Sequence, residues 1–356
     1  MRPTLQTVAD AVGVSRSTVS NAYGRPDQLS PELRARILAT AKELGYAGPD
    51  ATARSLRRGR AGAVGVLFTT TLSYAFVDPF AVLFLRGLAE AVERNGTGLL
   101  LVPLSTEDEA ASVAAVQNAV VDGFCVYCVP EWHGSLEALR SRGLPVVTTE
   151  YRDDVPAGEL QVGVDERAAT RAAARHLLGL GHRRIALLTN DMAPKGETGP
   201  LDLAGPGDFR YFVERERVSG VAEVFAEVGV GWDDLIVVNA AANSRASGAQ
   251  AAAHALDRAD RPTAIVACTD LLALGAMDAL AARGLTPGRD VSVTGFDDIP
   301  EAAPAGLTTV RQPAVSKGTL AGELLLDPPE DPAERRLLLP TELIVRASTG
   351  PATMRR

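Results

Sequence analysis

The sequence has little cysteine: three residues, Cys125, Cys128 and Cys268, in a chain of 356. That excludes a disulfide framework and fits a reducing cytosol. Cys125 and Cys128 have C-x-x-C spacing, but no second pair exists, and residues three apart in a strand face opposite ways. Core packing is therefore a better reading than zinc or redox chemistry. Long apolar runs are also missing. None reaches the ~18 residues of a membrane span, and no apolar h-region follows a basic start, so neither a membrane segment nor a secretory signal is expected. The chain is read as cytoplasmic. The four histidines, His133, His176, His182 and His254, share no metal-ligand spacing. Gly179 and Gly181 form a G-x-G at a helix end, the wrong context for a dinucleotide fingerprint. With no Walker loop, nucleophile elbow or catalytic cluster, neither an enzyme nor a cofactor is expected.

What is present is uneven in charge. Residues 1–60 hold ten Lys and Arg against five Asp and Glu, a balance of +5; since the whole chain stands at −8, the remainder carries −13. A small basic head on a large acidic body is the distribution of a nucleic-acid-binding arm attached to a separate sensor or enzyme.

The head reads as three short helices. Thr4 can cap the first, which runs through Leu5, Val8 and Ala11, and Gly13 suits the tight turn after it. Ser15 can cap a second helix over S-R-S-T-V-S-N at 15–21. Val8, Ala9, Val12, Val14 and Val19 pack the pair, leaving Arg16, Ser17 and Asn21 pointing outward. Arg and Asn can bond bidentately to purine edges, and a helix-turn-helix presents the N-terminal end of its second helix to the major groove. Ser30-Pro31-Glu32 starts a third helix, with Leu33, Ile37, Leu38, Ala41 and Leu44 at helical spacing and Gly45 placed as its left-handed cap. Residues 47–62 join head to body. Within A-T-A-R-S-L-R-R, Leu56 is the only large apolar side chain. It is either a docking point of a mobile linker or a wedge between base steps of the minor groove, with Arg54 and Arg57 on phosphates.

From residue 63 the rhythm becomes strand, helix, strand, helix. Apolar runs at 63–68, 98–102, 123–129 and 145–148 read as buried parallel strands, with helices at 80–94, 107–118 and 135–142. The pattern repeats with strands at 185–189, 235–238, 264–268 and 291–295 and helices at 168–180, 214–228, 244–256 and 271–283. A last helix is read at 315–326 and a last strand at 342–345. This is an α/β body of two doubly wound lobes, with a break near 155–162 at Pro156 and Gly158. Residues 191–208, rich in Gly and Pro, are expected to form no regular element: either a flap near the mouth between the lobes or a surface excursion.

These residues together resemble the LacI family of bacterial transcription repressors. The resemblance rests on L-Q-T-V-A-D-A-V-G-V-S-R-S-T-V-S-N at 5–21, A-R-S-L-R at 53–57, V-D-G-F at 121–124, H-L-L-G-L-G-H-R-R-I-A-L-L at 176–188, T-D-L-L-A-L-G-A-M at 269–277, V-S-V-T-G-F-D-D at 291–298 and L-P-T-E-L-I-V-R-A-S-T at 339–349. It implies a two-lobed, periplasmic-binding-protein-like core of doubly wound parallel sheets behind an all-α N-terminal helix-turn-helix domain. The implied organisation is a head at 1–48, a hinge at 49–61, an N-terminal lobe at 62–161 plus 313–338 and a C-terminal lobe at 162–312 plus 339–356. The implied partners are a double-stranded DNA operator, a second copy of the chain and a sugar-like or nucleoside-like effector between the lobes; the short tail after 349 leads to the expectation of a dimer. Carried over by position, DNA contacts fall on Thr4, Ser15, Arg16, Ser17, Thr18, Asn21, Ala53, Arg54, Leu56 and Arg57. Effector contacts fall on Tyr74, Asp78, Phe80, Glu150, Arg217, Thr269, Asp270, Phe296 and Asp297. Pro313-Ala314 stands where some members have an aromatic residue, which moves a stacking contact to Tyr151 or Phe296. The rival readings are a small-solute transport receptor, which needs a signal peptide or lipidated Cys, and an α/β enzyme with an accessory head, which needs a catalytic cluster.

Overall fold

The structure is a computed structural model that describes residues 3–48, 59–68, 72–105, 108–130, 133–155, 158–190 and 197–352. It divides into a unit over Met1–Gly62 and a unit over Ala63–Arg356.

In the first unit, α1 (Leu5–Val12) is capped by Thr4, whose hydroxyl accepts from the Thr7 amide, and Thr7 returns the bond to the Thr4 amide. Gly13, at φ +74°, turns the chain so that its own amide and that of Val14 both bond Ala9 O. This is a left-handed cap that a side chain would strain. Helix α2 (Arg16–Gly24) follows from Ser15, and α3 (Pro31–Glu43) from Ser30 with Pro31 at its first position. Val8, Ala9, Val19, Ala22, Ile37 and Ala41 form the core between them. The three caps and the apolar spacing were legible in the sequence.

The second unit holds two sheets. Strands β1 (Ala63–Phe68), β2 (Gly98–Pro103), β3 (Gly123–Tyr127), β4 (Val146–Thr148), β5 (Leu160–Val164) and β12 (Arg336–Leu339) make a parallel sheet in the order β12-β5-β4-β3-β1-β2. Between them run α4 (Pro79–Arg94), α5 (Glu109–Asn118) and α6 (Ser135–Ser141). The second sheet has the order β13-β11-β10-β9-β6-β8-β7. It comprises β6 (Ile185–Thr189), β7 (Gly199–Pro200), β8 (Ile236–Asn239), β9 (Ala264–Ala267), β10 (Ser292–Asp297), β11 (Thr308–Arg311) and β13 (Glu342–Ile344), the two edge strands β7 and β13 being antiparallel. Its helices are α7 (Glu166–Gly179), α8 (Phe212–Ala226), α9 (Arg245–Leu256) and α10 (Asp270–Ala281). The central strands are apolar on both faces, as parallel strands covered on both sides must be.

The chain passes between sheets after β5, after β11 and after β12. The first passage lies beyond Val164 rather than at 161: the break read at 155–162 conceals β5, whose Val162 pairs with Leu337 in the same sheet. The segment 191–208 also differs from expectation. Residues 191–196 lie outside the described residues, but Gly199 and Pro200 pair with Asn239 and Val238, and Leu201 N donates to Val237 O. The buried Phe209 and the Trp232 indole, which donates to Leu203 O, hold the rest down. Proline is tolerated there because β7 is an edge.

Helix α11 (Ala314–Leu326) returns to the first sheet and lies against α4. Their backbones touch: a Cβ on Gly318 would stand 2.0 Å from Phe84 O, and one on Gly87 1.9 Å from Val315 O. Gly318→Val is therefore expected to drive the helices apart and destabilise the core by about 1–3 kcal/mol or more, read as a lower melting temperature with the head's helices unaffected. An unchanged melting temperature would show that the pair accommodates the bulk elsewhere.

Candidate DNA-reading face and inter-lobe cleft

On the head, Ser15 Oγ accepts from the Thr18 amide at 3.1 Å and lies 2.6 Å from Ser17 Oγ and 2.8 Å from Thr18 Oγ1. The helix start is thereby fixed, with Arg16 and Ser17 exposed on its first turn. Asn21 is not held by the helix alone. It is half-buried, and its Nδ2 donates to Gln28 Oε1 at 3.1 Å. Gln28 escaped the sequence reading because it lies outside the helix, on the 3₁₀ turn Pro26–Gln28. The hinge positions Ala53, Arg54, Leu56 and Arg57 lie outside the described residues.

In the second unit, the C-terminal ends of both sets of strands border a cavity of about 270 Å³, where open α/β sheets bind ligands. From α8, Arg217 enters its wall almost wholly buried. Nε donates to Glu166 Oε2 at 2.7 Å and Nη1 to Cys268 O at 2.5 Å; Nη2 stands 4.0 Å from Asp297 Oδ1. Burial alone would lower the guanidinium pKa, but Glu166 and Asp297 outweigh it and hold the charge. Asp297 ends β10 at φ +120°, and Asp298 follows at +54°. Such left-handed backbone in non-glycine residues is strained and concentrates at functional sites. Burial pushes the Asp297 carboxyl well above the usual range, against the pull of Arg217; Oδ1 accepts from Gln312 Nε2 at 2.6 Å.

A hydrogen-bond chain crosses between lobes. Thr269 Oγ1 donates to Asn243 Oδ1 (2.6 Å), Asn243 Nδ2 to Tyr74 Oη (2.7 Å), and Tyr74 Oη to Asp78 Oδ2 (3.0 Å). Asp78 Oδ1 in turn accepts from the Phe80 amide and caps α4. Tyr74, Asp78, Phe80, Arg217, Thr269 and Asp297 thus meet in one cleft.

Three expected contacts do not reach it. Phe296 is 1% exposed and lies behind Arg217, whose guanidinium carbon stands 3.7 Å from the ring centre. It supports the arginine rather than the ligand because its side chain points down the strand's buried face. Asp270 is wholly buried: Oδ2 accepts from the Ile299 amide at 2.8 Å and Oδ1 from the Thr309 hydroxyl at 2.5 Å. Burial, opposed by those bonds, pushes its carboxyl up to about 7, and its work is to hold the turn after β10. Glu150 lines a separate cavity of the first lobe, beside Arg152, Leu160 and Gln161; burial raises its carboxyl to about 7, with Lys317 opposing. Tyr151 is covered by Arg336, not by the cleft.

The cleft also holds residues to which the sequence assigned no role there: Phe68, Tyr127, Thr149, Glu166, Asn190, Tyr211, Glu214, Asn243, Gln312 and Lys317. Cys125 is core, as expected, but Cys128 sits past the strand end at φ +50° and faces the cleft. A signal was available for some of them. Glu214 shares the stripe of Val218, Val221 and Phe225, and Lys317 that of Ala314, Ala321 and Leu324, so each is a charge on a buried face.

Known proteins match both parts. Residues 4–48 match the bacterial regulatory proteins of the lacI family. Residues 62–200 match the periplasmic binding proteins and sugar binding domain of the LacI family, and residues 174–349 a periplasmic binding protein-like domain. The chain is 46% identical over 351 residues to the HTH-type transcriptional regulator Rv3575c of Mycobacterium tuberculosis, covering 98% of each. Among solved structures it is similar to a LacI-family transcriptional regulator from Corynebacterium glutamicum, at 34% identity and TM-score 0.73, covering 99% of this chain and 100% of that one. It is also similar to the transcriptional regulator CelR in its cellobiose complex, at 28% identity and TM-score 0.66, covering 98% and 100%. Relatives that share both the helical head and the cleft-bearing core over nearly their whole length leave one assignment: the chain belongs to the LacI family of transcriptional regulators and is not an enzyme.

Proposed function

We propose that the protein is a cytoplasmic repressor that binds a near-palindromic operator as a homodimer and is controlled by a small polyhydroxylated effector held between the lobes. The observation that carries the reading is the Thr269–Asn243–Tyr74–Asp78 chain. It ties the lobes together through polar groups that a ligand's hydroxyls can replace. A cleft whose closure is set by exchangeable hydrogen bonds is a two-state element that a ligand biases.

On the DNA side, Arg16, Ser17 and Asn21 read base edges, while Thr4, Ser15 and Thr18 fix the helix and meet the backbone. The segment with Ala53, Arg54, Leu56 and Arg57 is proposed as the hinge that orders over the minor groove, Leu56 being the wedge. The proposed effector contacts are Tyr74, Asp78, Arg217, Thr269 and Asp297, with Phe80 beneath. At 270 Å³ the cavity is at the small end of ligand pockets. The cellobiose bound to the CelR relative supports a sugar-like ligand class.

The test is binding to a labelled palindromic duplex from upstream of the chain's own gene and to a scrambled duplex of equal length, at ~150 mM salt, where phosphate contacts alone are weak. The expected result is a preference of about 10³-fold or more for the palindrome; equal affinities would dismiss the repressor reading.

A further inference from the structure

Lys317 is a charge out of place. It projects from the buried stripe of α11, is 5% exposed, and lines the inter-lobe cleft. The close contact of α11 with α4 at Gly87 and Gly318 fixes the helix that carries it. Its ammonium has three donors. Among the described residues it makes no hydrogen bond or close ion pair; Nζ lies 5.9 Å from the Phe80 ring centre, a loose cation–π contact, and its charge acts on the Glu150 carboxyl only from a distance. A buried ammonium left in this state opposes folding. Such residues persist where function needs them.

The rest of the cleft says what the ammonium is for. Thr149 Oγ1, Asn190 Oδ1 and Gln312 Oε1 are buried lining atoms that also have no hydrogen-bond partner among the described residues. Four acidic side chains line the cleft, those of Asp78, Glu166, Glu214 and Asp297, with burial raising the carboxyls of Asp78 and Asp297, against the cations Arg217 and Lys317. An anionic group would satisfy Lys317 but would stand among these four acidic side chains, and it could not itself donate to the vacant oxygens. Of the helix N-termini at the cleft, which favour anions, Asp78 caps α4 and Thr269 caps α10, while that of α8, which has no side-chain cap, carries the acidic Glu214 in its first turn. A hydroxyl both accepts and donates, and several hydroxyls on one small ring meet all these groups.

We infer that Lys317 is a specificity-determining residue that donates to a hydroxyl oxygen of an uncharged, monosaccharide-sized polyol, and that the cleft rejects phosphorylated and acidic sugars. This rests on the reading of the cleft as the effector site. The replacement Lys317→Met keeps the length of the side chain and removes the charge and donors. In the full-length protein at about pH 6, below the Glu150 value of about 7 so that this acid is protonated, it is expected to raise the ligand-free melting temperature by several degrees, because a buried ammonium without a hydrogen bond is gone. A merely structural lysine would move it down.

Calorimetry with a panel of neutral pentoses, hexoses and sugar alcohols, each beside its phosphate or acid counterpart, completes the test. Wild-type protein is expected to bind at least one neutral member at least ~100-fold more tightly than its charged counterpart. K317M is expected to bind that member at least ~30-fold more weakly. A lower ligand-free melting temperature in K317M, undiminished affinity of K317M for the neutral compound, or tight wild-type binding of the charged counterpart would each overturn the proposal for Lys317 while leaving the effector site in place. Wild-type protein that binds no member of the panel would overturn the effector reading, and this proposal with it.

Discussion

Replacing Arg217 by alanine is expected to abolish ligand binding and to destabilise the core at the same time. The side chain is not an ordinary ligand contact. Two of its nitrogens are committed to Glu166 and to Cys268 O, its face rests on Phe296, and only Nη2 looks toward Asp297 and the cleft. Truncation leaves Glu166 and Asp297 as buried carboxylates with their cation removed. Losing one partner of a buried ion pair costs about 3–5 kcal/mol, which is roughly 10 °C of melting temperature in a domain of this size. Arg217→Lys keeps the charge but not the fork, and should fall between the two. Thermal melting of each variant, beside titration with the polyol that the wild type binds, separates the two losses. A variant that melts like the wild type would show that the Glu166 contact contributes nothing to stability.

The second large effect belongs to the head. Arg16→Ala removes an exposed guanidinium from the first turn of the reading helix without touching the Ser15 cap or the Val8, Ala9 and Val19 core. Loss of one bidentate base contact is worth roughly 10- to 100-fold. Because two heads engage one operator in the proposed dimer, the loss counts twice and approaches the square of that factor. The discriminating readout is specificity. Binding to the palindrome should collapse toward binding to scrambled DNA, while the salt slope on scrambled DNA changes by about one phosphate contact at most. An equal fall on both duplexes would make Arg16 a phosphate contact instead.

How far the sequence led depended on how local the cause was. The head's caps at Thr4, Ser15 and Ser30 and the left-handed glycines at 13 and 45 act within one turn, and each was read from a few adjacent residues. The buried strands were equally plain where apolar runs are bounded by turns, as at Ala63–Phe68 and Ile185–Thr189. β5 and β12 were missed because L-Q-V-G-V and R-L-L-L are short and pair with each other across 175 positions of chain, as Gln161 with Arg336. Nothing in either segment announces its partner.

The cleft was legible in part for the same reason. Arg217, Asp297, Thr269 and the segment from Tyr74 to Phe80 came through family resemblance, and the structure brings them together. The assignments of Asp270 and Phe296 failed because adjacent residues at a strand or helix end can serve opposite sides of the wall: Asp297 faces the cavity and Phe296 the core behind it. Lys317 and Glu214 could have been found by asking which charges interrupt an apolar stripe. Asn243 and Gln28 could not, since their importance comes from the Tyr74 hydroxyl in the opposite lobe and the Asn21 amide seven positions away.

The central claim is that occupancy of the cleft and engagement of DNA are coupled. The most direct measurement titrates full-length protein onto a labelled operator duplex with and without saturating polyol, then titrates the polyol onto free and operator-bound protein. Binding linkage requires the two ratios to be equal. The expected result is one common factor, about 5- to 150-fold for a coupling of ordinary size, that vanishes in a Tyr74→Phe variant unable to bridge Asn243 and Asp78. A polyol that binds with the same affinity whether or not operator is present would contradict it.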